Sequence, residues 1–337
     1  MKAELTEEIH ALELSMERRF NAPVRLLASA FFIMLRVLWM AIILYATALV
    51  TAEVSDITIP QAVLLMGVVT VAYTFMGGMA AVIWTDVLQF FIFIVGIVGI
   101  VIVASAKIDG GLWQGLQIAN QHDKLRLLDF SLDPTTRMTT WAVLAGGFFL
   151  NLSIYGVDQM VIQRYLTTRA ISQARKTLWF NGIVVVPMVF MLYLLGVILF
   201  AFYKVNPGLA AGLDKPDRVL PYFIVHELPH GMSGFIIAAI FAATMSSISA
   251  GLNSLSTAFV FDFYRRGKRA NLPAGHYLKL SRAVTVVVGV LIIILGMFVG
   301  RVGTIMKMVF KLNSPFLGVL LGVFLLGILT RRANAGG

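Results

Sequence analysis

The sequence predicts an all-α polytopic membrane protein, and three observations support this fold class. Of its 337 residues, 59% are hydrophobic and only 13% are charged, which is about half the charge of an ordinary soluble domain. The mean hydropathy is +0.87. Apolar stretches of about 20 residues recur along the chain, and a helix of that length crosses the hydrocarbon core of a bilayer. The chain has no cysteine, so disulfides and thiolate ligands are excluded.

Eight apolar stretches divide the chain into membrane-spanning segments. They are predicted at 24–52, 59–79, 80–106, 138–158, 177–204, 233–260, 278–300 and 303–330. We therefore expect a cytoplasmic N-terminal segment at 1–23, a transmembrane helix bundle at 24–330 and a cytoplasmic tail at 331–337. The segment 1–23 is rich in glutamate and too polar for a signal peptide.

The net charge of +10 is interpreted as a topology signal rather than as a nucleic-acid footprint. If the spans alternate from a cytoplasmic start, the inner segments contain about twice as many Lys and Arg residues as the outer ones. The sequence therefore predicts a multi-pass protein of the cell membrane with both termini in the cytoplasm. We expect the protein to be embedded in the lipid bilayer and not to bind nucleic acid.

Ionisable residues inside membrane spans are costly and usually face a cavity or a partner. Arg36 lies about a dozen residues into the first span, where it needs an anion from either another side chain or a substrate. Asp86 follows the glycine pair of "FMGGMAAVIWTD" and lies near the predicted inner face. Its carboxylate is either an interfacial group or a functional one.

The fourth span contains "GGFFLNLSIYGVDQ", which combines three glycines with polar side chains. One interpretation is a helix interrupted at mid-membrane beside a cavity, where Asn151, Ser153 and Tyr155 offer hydrogen bonds. The other interpretation is that the glycines allow neighbouring helices to approach closely. The residues alone do not separate the two.

The sixth span carries the densest set of hydroxyls, in "ATMSSISAGLNSLST" at 243–257. Ala243, Ser246 and Ser247 share one face of a helix, and a serine hydroxyl in a helix lies near the carbonyl one turn back. Neutral oxygens of this kind suit a hard monovalent cation such as Na⁺, and the stretch has no His or Cys for a transition metal. The alternative is that small residues allow tight helix packing.

Several long motifs resemble the sodium/solute symporter family, which includes sodium–glucose, sodium–iodide and sodium–monocarboxylate carriers. "GGMAAVIWTDVLQ" resembles the fifth core helix of the family, "SIYGVDQMVIQRYLTTR" the end of the sixth, and "SSISAGLNSLSTAFVFDFY" the eighth. The resemblance implies a LeuT-type inverted-repeat helix bundle, of which this chain supplies core helices three to ten. It also implies a chain truncated at both ends, so a non-transporting member or a solute-sensing module is the alternative to a transporter.

The resemblance assigns roles to individual residues. Ala243 (through its carbonyl), Ser246 and Ser247 match the sodium ligands of the family. Asp86 matches an aspartate near the inward exit of the ion, and Ser249 matches a ligand of a further sodium in some members, although Ala250 lacks the second hydroxyl. The expected function is sodium-coupled symport of a small organic solute, an anion rather than a sugar, and not an enzyme activity. The substrate candidates are Arg36, Asn151, Tyr155 and Gln159.

Overall fold

The computed structural model describes residues 21–55, 57–77, 79–126, 128–133, 139–156, 171–210, 213, 216–229, 231–265 and 272–330. In these ranges the chain forms ten α-helices. The helices are α1 Ala22–Val54, α2 Ile59–Gly77, α3 Met79–Ala106, α4 Gly111–Gln121, α5 Thr140–Gly156, α6 Ile171–Val205, α7 Val219–His226, α8 Met232–Ala258, α9 Ala274–Val299 and α10 Ile305–Leu329. A π-helical turn, Phe259–Tyr264, continues α8.

Seven of these helices are long and apolar enough to cross a membrane, namely α1, α2, α3, α6, α8, α9 and α10. They coincide with seven of the eight predicted spans. The fourth predicted span, 138–158, corresponds to α5, a shorter apolar helix whose described part ends at Gly156. The segment "GLWQGLQIA" forms most of the short helix α4. The all-α membrane bundle predicted from the sequence is confirmed.

Helix ends follow the local sequence. The side chain of Asn21 accepts a hydrogen bond from the backbone N–H of Val24, and Pro23 occupies the first turn of α1, as expected at a helix N-terminus. Between α9 and α10 the chain turns at Gly303, whose φ of +133° is easily adopted only by glycine.

The helix α8 lies at the centre of the bundle, between two hydrophobic clusters. On one side it packs against α1, α2 and α9, where Met40, Leu252 and Ile292 are fully buried. On the other side it packs against α3, and its Ile236 joins a second cluster formed by α3, α4, α6 and α7. Since α8 contributes to both clusters, it fixes how the two halves of the core meet.

Helices α1 and α8 run antiparallel in a constant register. Three contacts define it: Ser29 with Asp262, Met40 with Gly251, and Thr47 with Thr244. From the first contact to the second, both helices advance by eleven residues, and from the second to the third both advance by seven. A side chain at Gly251 would collide with the sulfur of Met40, so this glycine allows the close approach.

One end of the α1–α8 pair is held by a buried ion pair. Nη2 of Arg25 lies 2.6 Å from Oδ1 of Asp262, and the hydroxyl of Ser29 donates to the other carboxylate oxygen. Asp262 is only 2% exposed and lies in the π-helical turn. The widened turn changes the direction of its side chain relative to a regular helix. Both carboxylate oxygens therefore have donors from α1.

The opposite end of the bundle is held by the segment between α6 and α8. Arg218 pairs with Glu53 at the end of α1, with 2.7 Å between Nη2 and Oε2. Asp217 accepts a hydrogen bond of 2.9 Å from the N–H of Ile305 in the first turn of α10. Lys107, just after α3, pairs with Glu227. This segment therefore connects α1, α3 and α10 through polar contacts.

The substitution Asp262→Ala tests the buried ion pair. We expect it to lower the free energy of unfolding by about 3 kcal/mol or more, because it leaves the Arg25 guanidinium without its buried carboxylate. Thermal unfolding in detergent, followed by helical circular dichroism, measures the change. The control is Arg126→Ala, which breaks an exposed pair of 3.9 Å with Asp129 and should cost less than about 1 kcal/mol. Equal losses in both variants would contradict the argument.

Candidate functional site

The hydroxyl-rich stretch of α8 lies between the two helices that flank it. With 100° between successive residues of a helix, Thr244 and Gly251 share the face toward α1. Ile236 and Ala243 share the face toward α3. Ser247 stands between these two faces and is exposed, while Ala243 and Ser246 are half-buried. Ala243 thus lies on the face toward α3, with Ser247 at the edge of that face nearer α1 and Ser246 at the opposite edge.

The hydroxyl pair of Thr47 and Thr244 positions this part of α8. Oγ1 of Thr47 donates to the carbonyl of Ile43 at 3.1 Å, so the hydroxyl of Thr244 donates to Thr47. Both threonines are buried. Sequence reasoning singled out Thr244 only as part of a polar stretch and did not identify Thr47, since nothing local connects two residues 197 positions apart.

Ser249 is fully buried, and its hydroxyl donates to the carbonyl of Ser246 at 3.0 Å. Its hydrogen is therefore directed at the helix backbone, and the oxygen lone pairs remain available to a cation. The role of Ser249 at a further ion position stays a prediction.

Close contacts of two glycines set the register between α3 and α8. A side chain at Gly99 would meet the methyl group of Met232, and one at Gly96 would lie 3.6 Å from Ile236. Ten residues before Gly96 stands Asp86, and ten residues after Ile236 stands Ser246. Because the helices are antiparallel, the backbone of Asp86 lies at the level of Ser246. The side chain of Asp86 lies outside what the structure describes.

Arg36 lies on the face of α1 that packs against α8. Its place in the register is the level of Leu255, eleven residues from Thr47, or about 16 Å along the helix. The guanidinium lies 5.8 Å from the centre of the Phe32 ring, and the residue is 7% exposed. The structure therefore does not bring Arg36 to the level of Ala243, Ser246 and Ser247.

The helix α5 is continuous through Gly146 and Gly147. Neither glycine has another atom within 4 Å of the position of a side chain, so these two glycines mark neither a break nor a close helix contact among the described residues. The amide of Asn151 donates to the carbonyl of Gly147 at 2.8 Å, and the amide of Asn181 on α6 donates to the hydroxyl of Tyr155 at 3.0 Å. Gln159 lies outside the described residues.

The sequence of this chain matches a known protein family. Residues 11–337 match the model of the sodium:solute symporter family. The chain belongs to this family. The resemblance inferred from its motifs is therefore confirmed.

The curated relatives include sodium-coupled carriers of sialic acid, of monocarboxylates and of iodide. The chain is 34% identical over 322 residues to the sodium/sialic acid symporter NanT of Aliivibrio fischeri. The matched region covers 95% of this chain and 64% of that protein. It is 31% identical to the human sodium-coupled monocarboxylate transporter 1, of which it covers 53%. The human sodium/iodide cotransporter is 30% identical, with 50% of its length covered. The chain thus spans between half and two thirds of the length of these relatives.

A solved structure of the same family has the same fold. It shows a Na⁺-coupled sialic acid symporter in a substrate-bound, outward-open state with what its authors call a novel Na⁺ site. The TM-score is 0.84 at 32% identity, and the match covers 96% of this chain and 67% of that protein. The predicted fold class, a partial LeuT-type bundle, is confirmed by this likeness.

Replacing Thr244 with valine tests the hydroxyl pair that positions α8. Valine keeps the shape and removes the donor, so we expect a loss of about 1 kcal/mol in the free energy of unfolding. The control is Thr51→Val, a buried threonine whose hydroxyl bonds only within its own helix, to the carbonyl of Thr47. A double-mutant cycle with Thr47→Val should show a coupling energy of at least about 0.5 kcal/mol. Additive losses would show that the pair does not join the helices.

Proposed function

We propose that this chain forms the central part of a Na⁺-coupled symporter for a small organic anion. The observation that supports the proposal is that Ala243, Ser246 and Ser247 lie on and beside the face of α8 toward α3, with Ser247 exposed, in a chain of the sodium:solute symporter family. The named relatives couple sodium to sialic acids and monocarboxylates. Since the chain covers only part of each of them, their activity is carried over here as a proposal.

The oxygens of α8 match the chemistry of Na⁺. The carbonyl of Ala243 and the hydroxyls of Ser246 and Ser247 provide three neutral donors on one helix face, and hard cations prefer oxygen ligands. Among the described residues, no group of three His, Cys, Asp or Glu side chains is placed to hold a metal ion. Neutral donors bind an alkali ion weakly enough for it to leave again, which a coupling ion must do in every transport cycle.

One sodium ion per cycle is sufficient for uptake of a nutrient. Moving one positive charge across about 100 mV releases about 2.3 kcal/mol, and a tenfold sodium gradient adds about 1.4 kcal/mol. Together these terms correspond to accumulation of the solute by about 500-fold. In this mechanism the ion binds from the outside, stabilises the conformation that accepts the solute, and leaves with it on the other side.

The proposed solute carries a carboxylate. Its candidate contacts are Asn151 and Tyr155 on α5, together with Gln159, and the role of Arg36 as an anion anchor stays a prediction. Sialic acids come first among the candidates because the sialic acid symporters share 34% identity with this chain. By the distribution of Lys and Arg between loops, the protein lies in the cell membrane with both termini in the cytoplasm.

The double variant Ser246→Ala, Ser247→Ala tests the sodium site. Counterflow of a labelled sialic acid or short monocarboxylate into proteoliposomes, with sodium or with choline, gives the measurement. We expect sodium to stimulate the unchanged protein at least tenfold and the double variant less than twofold, because two of three ligands are lost. The control is Ser254→Ala, which removes a buried hydroxyl of the same helix outside the proposed site.

Three results would contradict the proposal. Unchanged sodium activation in the double variant would exclude these serines as ligands. Loss of activation in Ser254→Ala as well would show a general effect on the helix. Solute binding without any counterflow would favour a sensing module over a symporter.

A further inference from the structure

Two exposed cations of α9, Lys279 and Arg282, have no anionic partner in the part of the chain that the structure describes. Neither side chain forms a hydrogen bond or an ion pair there. The guanidinium of Arg282 lies instead over the ring of Phe75 on α2, 5.4 Å from the ring centre. The helices α2 and α9 contain no Asp or Glu, so neither of them supplies a carboxylate. The N–H donors of Arg282 are therefore available to an anion from outside the protein.

The position of Arg282 along α9 corresponds to the boundary of the hydrocarbon layer. Residues 283–300 carry no charge and rise about 27 Å as a helix, which is close to the thickness of the hydrocarbon core, about 30 Å. Lys279 precedes Arg282 by three residues, so both side chains leave the same side of α9. Both cations thus stand at the level of lipid headgroups. By the distribution of Lys and Arg between loops, this is the cytoplasmic surface.

A groove in the membrane-facing surface leads from these cations into the hydrocarbon layer. The helices α2 and α9 are antiparallel and close, because side chains at Gly67 and Gly289 would collide with Ile293 and Val71. With 100° between successive residues, one side of this contact line carries a set of exposed apolar residues and Lys279. The apolar residues are Leu64, Val68 and Phe75 on α2, and Val286 and Val290 on α9.

The other side of the same contact line belongs to the protein core, where Thr70, Thr74 and Ile292 are buried. The groove is therefore open only toward the membrane. Its walls are apolar over several turns, and its inner end carries two positive charges. A molecule that fits this surface has a long apolar part and an anionic end, and Arg282 is already positioned for it by the ring of Phe75.

We propose that the groove between α2 and α9 binds an anionic phospholipid, with the phosphate on Arg282 and Lys279 and an acyl chain along Val286 and Val290. A guanidinium can bind two phosphate oxygens at once, and the ammonium of Lys279 adds a second charge. Basic pockets between membrane helices at the cytoplasmic surface suit anionic headgroups. A zwitterionic lipid would bring its own positive group to two cations and should bind more weakly. The inference does not depend on sodium coupling.

The bound lipid should stabilise the folded bundle. It contacts both α2 and α9, and these helices share one buried cluster with α1 and α8. A ligand that binds only the folded protein raises its stability. Thermal unfolding therefore reports binding of the lipid without any transport assay.

The lipid preference of the purified full chain tests the inference. Native mass spectrometry in detergent with equal amounts of phosphatidylglycerol and phosphatidylcholine gives the ratio of bound lipids, and thermal unfolding with each lipid gives a second reading. We expect the unchanged protein to prefer phosphatidylglycerol about tenfold, which corresponds to about 1.4 kcal/mol. The double variant Lys279→Gln, Arg282→Gln removes both charges and should abolish the preference and the extra stabilisation. Arg282→Lys keeps the charge without the two-point contact and should give an intermediate preference.

The matched control is Arg301→Gln at the other end of α9. Arg301 is exposed and also lies over an aromatic ring, 5.0 Å from the centre of Phe298, but α9 has no second cation one turn away from it. This variant should keep the preference. In Val286→Trp, both cations remain and an apolar side chain fills the groove at a lipid-exposed position. It should weaken the binding of phosphatidylglycerol. Helical circular dichroism checks the folding of each variant.

Three outcomes would overturn the inference. Equal binding of the two lipids to the unchanged protein would show an unselective surface. Equal losses in Arg301→Gln and in the double variant would show a response to net charge alone. Stabilisation by glycerol phosphate equal to that by phosphatidylglycerol, with no effect of Val286→Trp, would show a site for free phosphate rather than for a lipid. None of these outcomes changes the sodium dependence of counterflow, so the symporter proposal is tested separately.

Discussion

The antiparallel contact between α1 and α8 is the constraint on which the other features of the site depend. Apolar side chains alone set helix register poorly inside a membrane, because sliding by one turn replaces one lipid-like contact with another. Here the buried carboxylate of Asp262, with its donors Arg25 and Ser29, admits one register. The hydroxyl pair of Thr47 and Thr244 confirms that register eighteen residues further along α1. The hydroxyls of α8 are therefore presented at a fixed height and rotation.

Fixed rotation gives the sides of α8 different chemistry. The side toward α1 is closed by Met40 against Gly251 and by the threonine pair. The side toward α3 is close-packed at Gly96 and Gly99, against Ile236 and Met232. Between the two sides, Ser247 is exposed. A helix turned by 100° in either direction would remove Ser247 from this place, so the ligand set depends on the packing contacts of the opposite face.

The helices were predictable from the sequence because each span is a long apolar run, and a bilayer requires such runs to be helical. The composition of the site on α8 was also visible, since hydroxyls at i, i+3 and i+4 share a helix face by simple periodicity. The contacts that position the site could not be predicted in this way. Arg25 and Asp262 are 237 residues apart, and the π-helical turn that positions Asp262 has no sequence signature comparable to a proline or a glycine pair. The glycines of α5 are the reverse case, in which the sequence suggested a feature that the structure lacks. Gly146 and Gly147 suggested a break or a close helix contact, and among the described residues the structure has neither at these positions.

The rigid contact between α1 and α8 limits how the affinity of the site for its ion can change during a transport cycle. The helices α1, α2, α8, α9 and α10 share one buried cluster, and α8 is tied to α1 at Asp262 and at Thr244. Sliding or rotating α8 would break a buried ion pair, which costs several kcal/mol, about as much as the energy available from one sodium ion. Under the proposed function, α8 therefore moves with α1 as one body. The change from a binding to a releasing state must then come from groups that approach α8 around the exposed Ser247, or from movement of α3 against α8.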